Sequence, residues 1–304
     1  MRKILRYTIL ESDMEETYGG LVNALLKARV KVTGHEISSA KFTEDGITLD
    51  GKRVTIKDHG APGQVLQVIL EDAEADRDKV PAAPGPLDIV YEDEDLILLN
   101  KPAGVCVHPS HGHWFDTLGN FLADYYEKQH LDVTCRVIGR LDKDTSGLVL
   151  YAKNKPAAAR LTAQHACGEL KRTYLALAEG FFEEMKGTID WPMGPVPGVL
   201  MKQQICPEGK KAVTHYEVVS YDAENDRTLL KVQIDTGRTH QIRLHMASLG
   251  HPLVGDPIYG HGTSGKTAAA LHSWKLVLCQ PFTREKLEFV ASKEEWENQT
   301  DTGL

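Results

Sequence analysis

No apolar run in these 304 residues approaches the roughly 20 residues that a membrane-spanning helix needs. The opening, Met1-Arg2-Lys3-Ile4-Leu5-Arg6-Tyr7-Thr8, lacks the apolar core and small-residue cleavage site of a secretory signal. The two absences predict a cytoplasmic chain with no membrane partner. Cysteine is scarce. The five residues Cys106, Cys135, Cys167, Cys206 and Cys279 stand far apart, and no Cys-x-x-Cys occurs. That spacing excludes a disulfide framework and a zinc ribbon. The thiols read as small half-buried side chains in a reducing compartment. Positive charge is also lacking. The formal net charge is −8, whereas a nucleic-acid-binding domain is usually basic. Global charge taken alone argues against RNA as a partner.

The charge that is present is unevenly spread. Acids gather at Glu71-Asp72-Ala73-Glu74-Ala75-Asp76 and at Glu92-Asp93-Glu94-Asp95. Basic residues gather in the middle of the chain, at Arg136, Arg140, Lys143, Lys153, Lys155, Arg160, Lys171 and Arg172. A mixed surface can still present one positive face.

Residues 1–80 read as a small separate domain. Leu21, Val22, Leu25 and Leu26 have helical spacing, followed by Lys27, Arg29 and Lys31. Two short strand runs then flank the Asp50-Gly51 turn, and Gly63 to Leu70 forms another strand. This order resembles the S4 RNA-binding module, although the first helix is poor in Arg and acids intrude at Glu36, Glu44 and Asp45. The segment 81–86 carries Pro81, Pro84 and Pro86 and reads as a linker. Residues 87–304 form the second domain.

In that domain the stretch Val137 to Tyr151 organises the rest. Two β-branched residues lead into Gly139-Arg140-Leu141-Asp142, and Thr145-Ser146-Gly147 precedes the apolar run Leu148 to Tyr151. The pattern predicts a tight loop delivering into a buried strand, a good place to orient a carboxylate. A hairpin is predicted from Ile89 to Pro102, and a helix over Thr117 to Lys128 with Asp116 as its cap. A second helix is predicted from Asn154-Lys155-Pro156 to about His165, then a strand from Gly168 to Ala178. Trp191 to Pro207 reads as a loop. Strands are predicted over Ala212 to Ser220 and Thr228 to Ile234, and an edge hairpin over Trp274 to Leu278 and Leu287 to Ala291. Between these pairs, Asp235 to Gly250 reads as a turn feeding a helix capped by Thr239 and ended by Gly250, with Ile242, Met246 and Leu249 facing the core. On this reading Arg238 stands at the helix entrance.

Two suggestive patterns carry less. His108, His111 and His113 lie in an irregular loop with no carboxylate or Cys at ligand spacing, so no metal site is predicted. Gly260-His261-Gly262-Thr263-Ser264-Gly265-Lys266-Thr267 fits the phosphate-loop pattern by letter. The segment before it is broken by Pro257 and Gly255, and the strand-to-helix succession of a nucleotide fold is missing, so no nucleotide cofactor is expected.

Four ordered pieces resemble the RluA-type pseudouridine synthases: Asn100-Lys101-Pro102-Ala103-Gly104, Arg140-Leu141-Asp142-x-x-Thr145-Ser146-Gly147, Arg172-Thr173-Tyr174-Leu175-Ala176 and Gly237-Arg238-Thr239-His240-Gln241-Ile242-Arg243. The tail Leu249 to Gly260 is similar as well. Gly139 stands where that family usually has His, and Arg172 where Lys is common. The resemblance implies an α+β fold: a mixed, mainly antiparallel sheet with flanking helices, plus the S4-like unit. It implies catalytic residues Asp142, Tyr174 and Arg238. Substrate-binding candidates are Arg140, Thr145, Ser146, His240, Gln241 and Arg243. The implied reaction breaks a C–N glycosidic bond and forms a C–C bond between the same base and sugar. Nothing is oxidised and no group is transferred, so neither cofactor nor metal is required. Arg140, Arg243 and the central Lys/Arg set are expected to contact phosphate. The expected partner is structured RNA, ribosomal in the first instance and transfer RNA as the alternative, bound by a monomer. A non-catalytic RNA-binding or ribosome-assembly protein is the competing reading.

Overall fold

The computed structural model describes residues 2–71, 79–110, 112–261, 268–293 and 296. Most of the phosphate-loop look-alike, His111 and the acids from Asp72 to Asp76 fall outside them. The chain divides into two compact units, residues 1–78 with 154–156, and 79–153 with 157–304.

The small unit contains β1 (Arg2–Thr8), α1 (Asp13–Glu16), α2 (Val22–Ala28), α3 (Gly34–Ala40), β2 (Ile47–Leu49), β3 (Lys52–Arg53) and β4 (Val65–Glu71). Its sheet runs in the order β1-β4-β2-β3. Leu25 and Leu26 of α2 are fully buried, as their spacing predicts. β1 escapes the sequence reading because Arg2, Lys3 and Arg6 leave it no clean alternation, although it pairs β4 throughout.

The large unit contains β5 (Ile89–Glu92), β6 (Leu96–Lys101), α4 (Leu118–Lys128), β7 (Arg136–Ile138), β8 (Ser146–Ala152), α5 (Lys155–Ala166), β9 (Lys171–Glu179), β10 (Lys186–Asp190), β11 (Met193–Pro195) and β12 (Gln203–Ile205). It continues with β13 (Val213–Asp222), β14 (Arg227–Ile234), α6 (Gln241–Ser248), β15 (Leu271–Cys279) and β16 (Lys286–Val290). Ten strands form one sheet, ordered β10-β13-β14-β9-β15-β8-β6-β5, with β7 beside β8 and β16 beside β15. The pairings are antiparallel except the short parallel contact of β15 with β8. This is the mixed, mainly antiparallel α+β architecture expected.

All seven residues of β8 are buried. Its side chains alternate between two cores: Val149 and Tyr151 enter one, Leu148, Leu150 and Ala152 the other. A strand covered on both faces reads as a continuous apolar run, and that is how it stands in the sequence. Phe121 and Tyr126 of α4 and Ile242 and Met246 of α6 cover the first face. Ala157 and Leu161 of α5 cover the second.

Several local expectations change. Thr117, not Asp116, caps α4: its hydroxyl accepts from the Asn120 N–H, and the Asn120 side chain accepts from the Thr117 N–H. The expected linker lies along α4, with Asn120 Nδ2 donating to Pro81 O at 2.8 Å and Ala83 N to Asn120 O at 3.2 Å. Trp191 to Pro207 contains the small β11-β12 pair. β15 is a central strand rather than an edge, since it pairs β9 along one side and β8 then β16 along the other. A hairpin rule sees only β15 and β16, because the other partners are distant in sequence.

Candidate active site

The loop between β7 and β8 carries Asp142. Thr145 is buried, and its N–H donates to the Asp142 carbonyl at 3.2 Å. Where the loop enters β8, Gly147 adopts φ +101°, and a Cβ there would lie 2.3 Å from the Ser273 carbonyl oxygen. Only a residue without a side chain lets β15 approach this closely. Next to it, the Ser146 hydroxyl bonds His272 Nδ1 at 2.8 Å.

Lys101 holds the loop from the end of β6. It is 1% exposed, and its Nζ donates to the carbonyls of Pro102 at 2.9 Å and of Val105 and Lys143 at 2.8 Å. Burial lowers its ammonium to about 8, against the pull of Cys106, Asp144 and Asp142. The Lys143 carbonyl is one residue from Asp142, so this cation fixes the backbone that carries the carboxylate.

Asp142 is half-buried. Burial raises its carboxyl above the ordinary range; His240 and Arg243 pull it back, and Asp144 adds to the rise. Hydrogen bonding from the His240 backbone also favours the carboxylate. His240 is the N-cap of α6 in a left-handed conformation, φ 58° and ψ 20°. It makes no side-chain cap bond, so Thr239 does not cap this helix as expected. The turn at His240 brings the start of α6 up to the Asp142 loop.

Arg243 is the arginine that acts on Asp142. It is 1% exposed. Its Nε and Nη2 make a fork onto Asp256 at 2.8 and 2.7 Å, and its Nη1 lies 3.8 Å from Asp144. Asp256 also accepts from the backbone N–H groups of Ile258 and Tyr259. Tyr259 closes the set, its hydroxyl 3.2 Å from His240 Nδ1 and its ring beside the Arg243 guanidinium. Arg238, expected in this position, is exposed, and its Nε donates to the Lys211 carbonyl at 3.1 Å.

Tyr174, on β9, is 5% exposed. Burial raises its phenol; Arg172 opposes the rise, and Asp142 adds to it. The side chains of Arg172 and Tyr174 are hydrogen-bonded. Arg172 also donates to the Ile138 carbonyl. Its guanidinium occupies the place of a side chain at Gly139, where an added Cβ would lie 2.0 Å from Nη1. The two positions that depart from the family resemblance therefore touch. Gly139→Ala should cost about 2–4 kcal/mol, combining a left-handed φ of 69° with forced overpacking. Urea unfolding measures it, and adding Arg172→Ala should recover the packing part.

The remaining expected site residues separate into two groups. Gln241 is buried and spends its amide on Val213 O, Thr214 and Thr236. Ser146 is likewise occupied inside the protein. Arg140 is exposed on the Asp142 loop. Of the central basic set, Lys153 is bound to Glu92 and the Asp93 carbonyl, and Arg172 faces inward, as does Arg243 outside the set. Lys143 and Lys171 remain exposed. The sequence reading missed Lys101, Asp144 and Asp256 as parts of the site. Lys101 and Asp256 both stand in the pieces that carry the resemblance, which was the available signal.

The loop, β9 and α6 thus gather a tunable carboxylate, a phenol and a fixed guanidinium from distant parts of the chain. Such a group can attack, or take a proton from, an uncharged substrate without help from a redox partner. The RNA pseudouridylate synthase family matches residues 95–248, a span that includes Asp142, Tyr174 and Arg243. An uncharacterized RNA pseudouridine synthase of Bacillus subtilis (strain 168), YjbO, is 37% identical over 84% of this chain and 89% of its own. The ribosomal large subunit pseudouridine synthase D of Nitrosomonas europaea is 37% identical over 79% of this chain and 72% of its own. Its namesake in Escherichia coli (strain K12) is 45% identical over 58% of this chain and 53% of its own. The structure of human RNA pseudouridylate synthase domain containing 1 superposes with a TM-score of 0.59 at 27% identity, over 72% of this chain and 88% of that one. With a half-buried carboxylate set between Arg243 and Tyr174 inside the matched span, and a relative alike over most of both chains, this chain belongs to the RNA pseudouridylate synthase family.

Proposed function

We propose that this enzyme isomerises uridine to pseudouridine in large-subunit ribosomal RNA. The half-buried Asp142, under the charge of Arg243 and with the Tyr174 phenol within its own field, carries the reading. Two of the relatives above are named for the large ribosomal subunit, which supports ribosomal over transfer RNA. Asp142 acts at the sugar–base junction as its carboxylate. Arg243 takes the electrostatic role that the resemblance assigned to Arg238: its charge keeps a raised carboxyl ionisable. Tyr174 keeps its proton at neutral pH, because burial moves its phenol further up from about 10. It therefore acts as a surface against the uracil and not as a resting base. The target nucleotide leaves its stack to reach Asp142, which costs a few kcal/mol and is least in a loop or bulge.

We assign RNA contact to Arg140 and Lys143, which flank Asp142 and are exposed. The 1–80 unit, S4-like in its order of elements, is a second RNA contact on this reading, and the enzyme works as a cytoplasmic monomer. Among the described residues no helix is long and apolar enough to cross a membrane. Each phosphate neutralised on single-stranded RNA contributes about −0.7 to the slope of log affinity against log salt. Arg140→Ala and Lys143→Ala should each flatten that slope by about this amount in filter binding. Mapping pseudouridine in total RNA from cells with the active protein and with Asp142→Asn tests the function. A site lost from large-subunit RNA in the variant supports it. A site lost from transfer RNA instead moves the substrate, and no lost site overturns the enzymatic reading.

A further inference from the structure

Beside the Asp142 loop, Trp114 and Phe115 stand in the open, 60% and 63% exposed. Large aromatics at adjacent positions are rarely left in water without a use. Their backbone is held. The Ser110 and His113 peptides exchange two hydrogen bonds of 2.9 Å, and the Trp114 carbonyl accepts from Asn120 Nδ2 at 2.9 Å. The two rings are thus carried on a fixed turn at the start of α4.

This turn is tied to the Asp142 loop. His113 Nδ1 lies 2.6 Å from Asp116, and its Nε2 lies 3.2 Å from Lys143 Nζ. With Nδ1 carrying the proton, the ring donates to Asp116 and accepts from the ammonium. One residue on each side then matters: Trp114 follows His113, and Asp142 precedes Lys143. Arg140, on the same loop, lies close enough to His108 to act on its imidazole, which burial and that charge push down. The surface beside the two rings therefore carries the cation Lys143, and Arg140 stands on the same loop. Exposed aromatic faces beside fixed positive charge are the arrangement that binds unpaired nucleotides: the cations follow the backbone and the rings stack on bases.

Resting on the reading of this chain as an enzyme of RNA, we propose that Trp114 and Phe115 form a stacking platform for unpaired bases flanking the target uridine. A base displaced beside the target has lost its own stacking partners, and the platform returns part of that loss. The backbone that carries both rings is held before RNA arrives, so only their side-chain rotamers remain to be ordered on contact.

Affinity for a short oligouridylate and for a blunt RNA duplex, measured by fluorescence anisotropy over a salt series, tests this. Trp114→Ala and Phe115→Ala should each weaken oligouridylate binding about tenfold, leave its salt slope unchanged and leave duplex binding unchanged. Trp114→Tyr should restore most of the loss. Thermal melting confirms that these exposed positions leave the fold intact. Unchanged oligouridylate affinity in both variants overturns the platform. Equal losses on duplex and single strand overturn it as well. The measurement needs no turnover, so it stands apart from the function: an Asp142→Asn protein that still makes pseudouridine defeats the catalytic reading and leaves the platform result untouched.

Discussion

Asp142→Asn is expected to abolish release of tritium from RNA labelled at uracil C5, by about 10⁴-fold or more, as loss of a central reacting group does elsewhere. The label leaves only when C5 bonds to the sugar, so its release reports the complete isomerisation. The amide keeps the shape of the carboxylate and the backbone bonds of its loop, while removing the charge. Two further readouts separate a chemical from a structural role. Burial raises the Asp142 carboxyl. The wild-type rate should therefore fall with decreasing pH through a value above the ordinary Asp figure of about 4. The sign for stability is opposite. A carboxyl whose folded pKa lies above its unfolded one makes the folded state less stable once it ionises. That penalty is present at neutral pH and is relieved as pH falls through the raised value. Asp142→Asn removes it, so the inactive protein should melt higher than wild type at pH 7 and no higher once the pH lies below the unfolded value.

The second large effect concerns the core of the site. Arg243→Met should cost about 3–5 kcal/mol, because it leaves Asp256 buried and without its counter-ion. Asp256 is fully enclosed, and the pair is joined by two short bonds. Domains are stable by only about 5–15 kcal/mol, so the loss is a large share of the total. Urea unfolding gives the cost. Arg243→Lys retains the charge but not the fork, and should fall between Met and wild type. Arg243→Met combined with Asp256→Asn should recover much of the loss, since the stranded charge is then gone. In any folded variant lacking this guanidinium, the acid limb of the rate profile should move to higher pH. A full-strength loss of activity with no movement of that limb would place Arg243 in folding alone.

What the sequence made legible follows from the range of the interactions. The Asp142 loop and β8 are local: a turn, a glycine and a run of seven buried residues declare themselves within fifteen positions. The strand that carries Tyr174 is legible for the same reason, while Tyr174 itself came only from the resemblance. The resemblance gave Arg238 the place beside Asp142 and left Arg243 to substrate binding; the choice rests on how the chain enters α6. A Thr239 cap would have put Arg238 at the entrance. The left-handed turn falls at His240 instead, a conformation rare outside glycine and not declared by the sequence. Arg243 lies inside the helix, and its partner Asp256 is thirteen residues away in an irregular segment. A charged residue is by default placed on the surface, so a buried fork joining two such elements is invisible until the chain is folded. The central position of β15 was hidden likewise, since β9 and β8 lie far back in the chain.

The contact of Gly139 with Arg172 also makes the two positions energetically interdependent. A side chain at 139 and the guanidinium at 172 claim one volume, so a protein carrying both must move the end of Arg172 from its bond to the Ile138 carbonyl. The stability costs of exchanging the two residues singly should therefore not add when both are exchanged.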